Sequence, residues 1–481
     1  METAPSHSLG RVGLRTKFTY GFGSIAEGVK DTAFHTFLLF YFNQVLGLPG
    51  VLGGTAIFIA LCVDAITDPL VGSLSDNLHH RFGRRHPFMY ASALPMGVFF
   101  WLLFNPPDGL GEYGLFAWFT VFAILVRSSM TLYSIPSNSM VAELTDNYDE
   151  RTSLVSWRFL FGWAGGLTFT QVAYRVFFAT GDGMQDGRLN AAAYGGFALV
   201  GGLAIVIAIL ICTLGTHRLI PLLRSPPDRS RFTLQRFFDE LGEVLGNRSY
   251  RMLVIGSLFA SVAGGFYNVV GLYVNTYFWE FSSEQIAGIA LALAISLVLG
   301  IGLARPLSAA FEKRRIAIWL SMFGIFFGPL PIFLRLLGWL PPNGHPALLP
   351  IIVVHTVLLV TAIIIIGIVI ASMIADTVDE NELVTGKRQE GMFASAISFT
   401  AKATSGVGGF LAGLALDAIA FPTQAEPGSI PAEKVDALGF AVGPVLMGLY
   451  VLSMVFLRRY RLTRARHEEI LAELARRRGA A

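Results

Sequence analysis

Of 481 residues only 14% are charged and 53% are hydrophobic, too little charge to cover soluble globules, which carry about 25% charged residues. The lipid bilayer must therefore be part of the solvent, and a net charge of +3 leaves no polybasic footprint for nucleic acid. Cys62 and Cys212 lie in apolar stretches as small hydrophobes. No P-loop, H-E-x-x-H helix or metal-spaced Cys/His cluster marks an enzyme or a resident cofactor. The polar first 17 residues hold no apolar core ahead of a cleavage site, so the first span is expected to direct insertion itself.

A hydrocarbon core of about 30 Å needs about 20 apolar residues per helix. Runs of that kind fall at 18–45, 51–75, 87–104, 114–142, 153–180, 191–216, 252–279, 285–309, 316–338, 348–375, 390–420 and 437–457. They predict an all-α membrane protein with 12 transmembrane helices. Lys and Arg concentrate in alternate connections: Arg11 to Lys17, Arg81 to Arg85, Arg151, Arg218 to Arg251, Lys313 to Arg315, Lys387-Arg388, and Arg458 onward. The other side holds only Arg188, Arg335 and Lys434. The positive-inside rule puts both termini of such a multi-pass cell-membrane protein in the cytoplasm.

A charged linker at 217–251 separates six spans (1–216) from six (252–460), and 461–481 reads as a cytoplasmic tail. The halves echo each other. Gly72-Ser73-Leu74-Ser75 before Arg84-Arg85 returns as Gly302-Leu303-Ala304-Arg305 before Arg314-Arg315, and Ala142-Glu143-Leu144-Thr145-Asp146 returns as Ala375-Asp376-Thr377-Val378. Two six-helix pseudo-repeats are the mark of a transporter. Gly72-Ser73-Leu74-Ser75-Asp76 followed by Arg81-Phe82-Gly83-Arg84-Arg85 resembles the signature between the second and third helices of the major facilitator superfamily. The resemblance implies a cytoplasmic latch in which Gly72 lets helices approach and Asp76 faces Arg84 and Arg85, with Asp376 and Arg388 in the second half.

A charge at the bilayer centre costs about 2.5–3.5 kcal/mol on insertion scales, so each should be paired, wet or functional. The second span reaches Asp64 roughly 20 Å from its outer end at 1.5 Å per residue, and Asp68 lies one turn on, on the same face. Glu27, Lys30 and Asp31 of the first span, Arg127 of the fourth and Lys402 of the eleventh reach a similar depth. Carriers hold substrate and coupling ion there. Two carboxylates one turn apart can bind Na+ or share a proton; they can also simply neutralise Lys30 or Arg127. Lone His35 and His355 fit packed or hydrogen-bonded roles.

Nearly the whole chain resembles the melibiose-permease family, the glycoside-pentoside-hexuronide:cation symporters of the major facilitator superfamily. The resemblance rests on Thr16-Lys17-Phe18-Thr19-Tyr20-Gly21-Phe22-Gly23, Asp64-Ala65-Ile66-Thr67-Asp68-Pro69, Ile374-Ala375-Asp376-Thr377-Val378-Asp379 and Gly386-Lys387-Arg388-Gln389-Glu390-Gly391. It implies a major facilitator fold and symport of a sugar or glycoside with Na+ or H+, without a cofactor, by a protein working as a monomer. Asp64, Asp68 and Thr131 match its cation ligands. Ser134 stands where its sodium-coupled sugar permeases carry a carboxylate, which leaves Na+ and H+ both open. Arg158 matches the arginine implicated in sugar binding and Lys402 the lysine joining the two sites, with Arg127 as a second coupling group. Lys30 and Asp31, three residues beyond the family's first-helix pair, and Tyr133 are further substrate candidates. Asn138 replaces the aromatic residue that stacks on sugar. The lysophosphatidylcholine symporter shares the Asp-Ala-x-Thr-Asp-Pro pattern, so a lysophospholipid or another amphipathic anion is the alternative substrate; a non-transporting receptor is the remote one.

Overall fold

The computed structural model describes residues 12–78, 80–145, 147–179, 186–222, 242–386 and 390–479, and the regular structure within them is helical. The first span consists of α1 (Leu14–Phe22) and α2 (Ser24–Thr32), extended by π-helical turns at Ala33–Phe37 and Tyr41–Val45. Then come α3 (Gly50–Asn77), α4 (His86–Leu103), α5 (Glu112–Leu144), α6 (Tyr148–Val172) and α7 (Ala191–His217). After the linker follow α8 (Arg248–Tyr273), α9 (Ser283–Ala310), α10 (Lys313–Phe327), α11 (Leu330–Leu336) and α12 (Leu348–Thr385). The chain closes with α13 (Glu390–Ala418), α14 (Ala432–Leu457) and α15 (Arg464–Gly479).

Among the described residues nine helices are long and apolar enough to cross a membrane. The first span, α6 and α13 occupy the places of the other predicted crossings. The first span is interrupted and carries Glu27, Lys30 and Asp31, and α6 opens on Asp149, Glu150 and Arg151 before reaching Arg158. Several helices run past their apolar cores: α12 continues ten residues beyond the predicted end at 375, until Gly386 turns left-handed at φ 72° and stops it. Polar caps start others, as where the Asn147 side chain accepts hydrogen bonds from the backbone N–H groups of Asp149 and Glu150.

The helices from Leu14 to His217 form one compact unit, and those from Arg248 to Gly479 a second. In the first, α2 packs on α6 and α7, α3 on α5, and α4 on α5 and α7. In the second, α8 packs on α13 and α14, α9 on α12, and α10 on α12 and α14. The sequence repeat is thus a repeat of packing. It extends to the closest crossings: a Cβ on Gly28 of α2 would lie 2.1 Å from the Gly162 carbonyl oxygen of α6, and one on Gly408 of α13 would lie 2.3 Å from the Val262 carbonyl oxygen of α8. Only glycine lets these backbones touch. Gly72 is different. An added Cβ there would meet Ile135 at an ordinary 3.6 Å, so close approach at that point does not depend on the glycine of the loop motif.

Ile66, Leu70 and Leu74 of α3 are exposed on the side opposite Asp64 and Asp68, which gives this helix an apolar outer stripe and a polar inner one. Residues 461–481 contain a docked helix. α15 packs on α12 and buries Ile470 and Leu474 against Ile316, Val369, Met373 and Tyr460. The i, i+4 spacing of the two apolar residues marks that face, although the surrounding charges make the segment read as a tail.

Candidate functional site

The charged groups expected at one depth resolve, within the first unit, into three arrangements. The first lies between α3 and α5. Asp64 and Asp68, one turn apart, face Arg127 and Thr131, also one turn apart. Arg127 Nη2 lies 2.5 Å from Asp64 Oδ2. The Thr131 hydroxyl lies 3.0 Å from Asp64 Oδ1 and 2.9 Å from Asp68 Oδ1. That hydroxyl carries one proton and can donate to only one carboxylate at a time. A proton or a cation placed among the three oxygens would turn the second contact into an attractive one as well. Asp64 is 6% exposed and Thr131 2%, so water contributes little to the balance. Ser134 lies on the same face of α5, half-buried, and among the described residues its hydroxyl makes no hydrogen bond to either carboxylate. Pro69 and Pro136 sit inside the two helices and remove the backbone donors that the carbonyls of Ala65 and Leu132 would otherwise meet.

The second arrangement joins α1, α2, α5 and α6. Arg158 Nη2 donates to Glu27 Oε1 at 2.9 Å, while its Nη1 reaches the Ser137 hydroxyl at 2.9 Å and the Tyr20 hydroxyl at 3.2 Å. The Tyr20 hydroxyl donates in turn to the Ser137 carbonyl at 2.7 Å. Arg158 is buried and Glu27 partly exposed. Glu27 was visible as a charge in a span, but only the fold pairs it with Arg158. Tyr133 is fully buried, and its hydroxyl lies where a side chain on Gly23 would have to go. Lys30 and Asp31 form the third arrangement, an ion pair between chain neighbours at 2.5 Å, with Asp31 about half exposed. It sits just before the π-helical turn at Ala33–Phe37, a deformation frequent at functional sites.

The residues expected to form a latch in the first half gather at the ends of α3, α4 and α5. Arg85 pairs with Asp76 at 2.5 Å, and its Nη1 donates to the Ser75 hydroxyl at 2.8 Å. Arg84 and Arg85 both reach Glu143, at 2.7 and 3.0 Å. Glu143 is therefore the centre of this ion-pair cluster, a residue that the sequence reading did not place among the site residues although it stands in the repeated Ala142-Glu143 motif. In the second unit, Asp376 takes Lys313 at 2.7 Å, with the His467 imidazole of α15 3.0 Å from Asp379. Burial, with Asp376 and Glu380 nearby, holds the Tyr460 phenol far above its ordinary range. Arg388 and the side chain of Lys402 lie outside the described residues.

A family model described as MFS/sugar transport protein matches residues 19–464. The putative glycoside/cation symporter YagG of Escherichia coli (strain K12) is 25% identical, covering 97% of this chain and 96% of its own. The isoprimeverose transporter of Lactiplantibacillus pentosus is 27% identical over 84% of this chain and 80% of its own. Among solved structures, the inward open xylose transporter XylE from E. coli superposes with a TM-score of 0.60 at 17% identity, covering 95% of this chain and 98% of its own. The nucleoside transporter NupG gives 0.59 at 13% identity, with 93% and 99% covered. These two likenesses concern the fold.

Proposed function

We propose that this chain, which belongs to the MFS/sugar transport protein family, is a secondary active symporter that couples entry of Na+ or H+ to uptake of a sugar or glycoside. The observation that carries the reading is the Thr131 hydroxyl shared between Asp64 and Asp68, a buried cluster of oxygens with the chemistry to take up a proton or a cation. The relatives' names, a glycoside/cation symporter and an isoprimeverose transporter, support the substrate class. The mechanism is alternating access, driven by the difference in affinity between two states.

In this reading Asp64, Asp68 and Thr131 bind the cation, and Ser134 adds a neutral oxygen from the same face of α5. Arg158 contacts the sugar together with Glu27; Lys30 and Asp31 border the substrate. The burial of Tyr133 suits a residue that shapes the substrate wall by packing. α5 carries Thr131 toward one arrangement and Ser137 toward the other, about 9 Å apart at 1.5 Å per residue, so one rigid helix can transmit occupancy between them. Lys402 of α13 is the coupling residue of the second half. The latches hold the cytoplasmic helix ends, and the protein works as a monomer in the cell membrane with both termini inside.

Uptake of labelled isoprimeverose and related glycosides into membrane vesicles, under an imposed Na+ or pH gradient, tests this. Accumulation above equilibrium is expected with one gradient and lost in Asp64→Asn. Accumulation that ignores both gradients, or survives in Asp64→Asn, removes the coupled site.

A further inference from the structure

We infer that Arg127 decides which ion the cluster accepts: its guanidinium takes the place of a metal ion at Asp64 and closes the site to Na+. This rests on the coupled-symport reading above and specifies its ion. Both carboxylate oxygens of Asp64 are held inside the first unit, Oδ2 by Arg127 at 2.5 Å and Oδ1 by the Thr131 hydroxyl at 3.0 Å. That hydroxyl is shared with Asp68 at 2.9 Å. A hard cation binds through a shell of several oxygens, and one seated on Asp64 would have to share each of its oxygens with a donor already in place, one of them itself a cation.

The pair belongs to the core of the unit. Asp64 is 6% exposed and the Arg127 side chain 12%, and the one-turn spacing of Arg127 and Thr131 on α5 faces that of Asp64 and Asp68 on α3. A Na+ ion seated on Asp64 would lie about 4 Å from the guanidinium, where like charges at an effective dielectric of about 20 weaken binding roughly a thousandfold. Moving the guanidinium aside is no escape. Among the described residues its Nε has no hydrogen-bond partner, so without Asp64 it becomes a buried cation without its carboxylate. Arg127 opposes protonation of Asp64 as well, but a proton needs no shell of oxygens and can be taken by Asp68, one turn from the Asp64–Arg127 pair, so H+ is the ion that the symport reading then requires.

Calorimetric titration of the purified full-length protein with NaCl against choline chloride tests the assignment with Na+ alone as the probe. The wild type is expected to give no saturable Na+ signal. Arg127→Gln, which keeps a polar side chain but removes the charge, should bind Na+ at least about tenfold more tightly than the wild type, and Arg127→Lys should stay silent. Saturable Na+ binding by the wild type that Asp64→Asn abolishes overturns the inference, and does so even if Arg127→Gln fails to fold. A folded Arg127→Gln protein that remains blind to Na+ overturns it as well. The symport reading fails on a different result, vesicle uptake that follows no cation gradient; wild-type uptake driven by Na+ would leave that reading standing and remove only the role given to Arg127.

Discussion

The two units use the same architecture at their latch ends and fill it with different chemistry. In the first, Glu143 near the end of α5 receives Arg84 and Arg85, and Arg85 also holds Asp76 and Ser75. Its centre is almost dry, with Arg85 6% and Glu143 8% exposed, while Asp76 at the edge is 52% exposed. In the second, the equivalent carboxylate, Asp376 of α12, receives Lys313, which is 32% exposed, and a helix from the end of the chain lies alongside through His467 and Asp379. A planar guanidinium presents a fixed fork of donors and a lysine a single hydrated charge. The first cluster is therefore a guanidinium network with a buried centre, whereas the second is a wetter pair braced by the apolar face of α15. The repeat keeps a carboxylate paired with basic side chains at this position but not the burial around it.

The contrast can be broken at several points. Glu143→Gln should do the most, because it removes the carboxylate shared by Arg84 and Arg85 from a nearly dry site and leaves Arg85 only the more exposed Asp76, a loss of up to about 3 kcal/mol. Thermal unfolding in detergent would register it as a large drop in midpoint, and a midpoint within error of wild type would mean that Glu143 does not anchor the arginines. Gly28→Ala comes next. Its Cβ would run into the Gly162 carbonyl, and overpacking of this kind costs about 1–3 kcal/mol. The same unfolding assay should show Gly72→Ala unchanged to within about 0.5 kcal/mol; equal effects at the two glycines would contradict the packing described for α2 and α6. Asp376→Asn should be the mildest of the charge changes, about 1 kcal/mol or less, since its lysine partner is partly solvated. A cost matching that of Glu143→Gln would show the second latch to be as dry as the first.

Much of this was legible before any coordinates. The shortage of charge, the lengths of the apolar runs and the echoed motifs define a helical membrane protein in two related halves. The i, i+4 carboxylates Asp64 and Asp68 announce themselves as a pair because helical periodicity puts them on one face whatever surrounds them. Arg127 was expected at the same depth as a charge in the fourth span, whereas Thr131 entered only through the family resemblance; the fold then sets the two one turn apart against the carboxylates. Glu27 and Glu143 were harder to assign, each an ordinary acidic residue until the fold supplies an arginine from more than a hundred residues away, or from the far end of a neighbouring helix. The docked α15 was concealed by its own surface, whose arginines and glutamates outweigh Ile470 and Leu474 in any count of composition.

The sequence by itself determined the solvent, the helices, the repeat and the identity of the polar groups placed in lipid, because hydrophobicity and helical period act along the chain and need no partner. Tertiary structure alone decided which charge meets which: that Arg127 takes Asp64, that Arg158 takes Glu27 and leaves Lys30 to Asp31, and that Glu143 gathers two arginines. An ion pair is a property of two distant positions brought within about 4 Å, and Coulomb energy at that range depends on burial as well as distance. Local pattern sets neither quantity, and both follow from the packing of the helices within each unit.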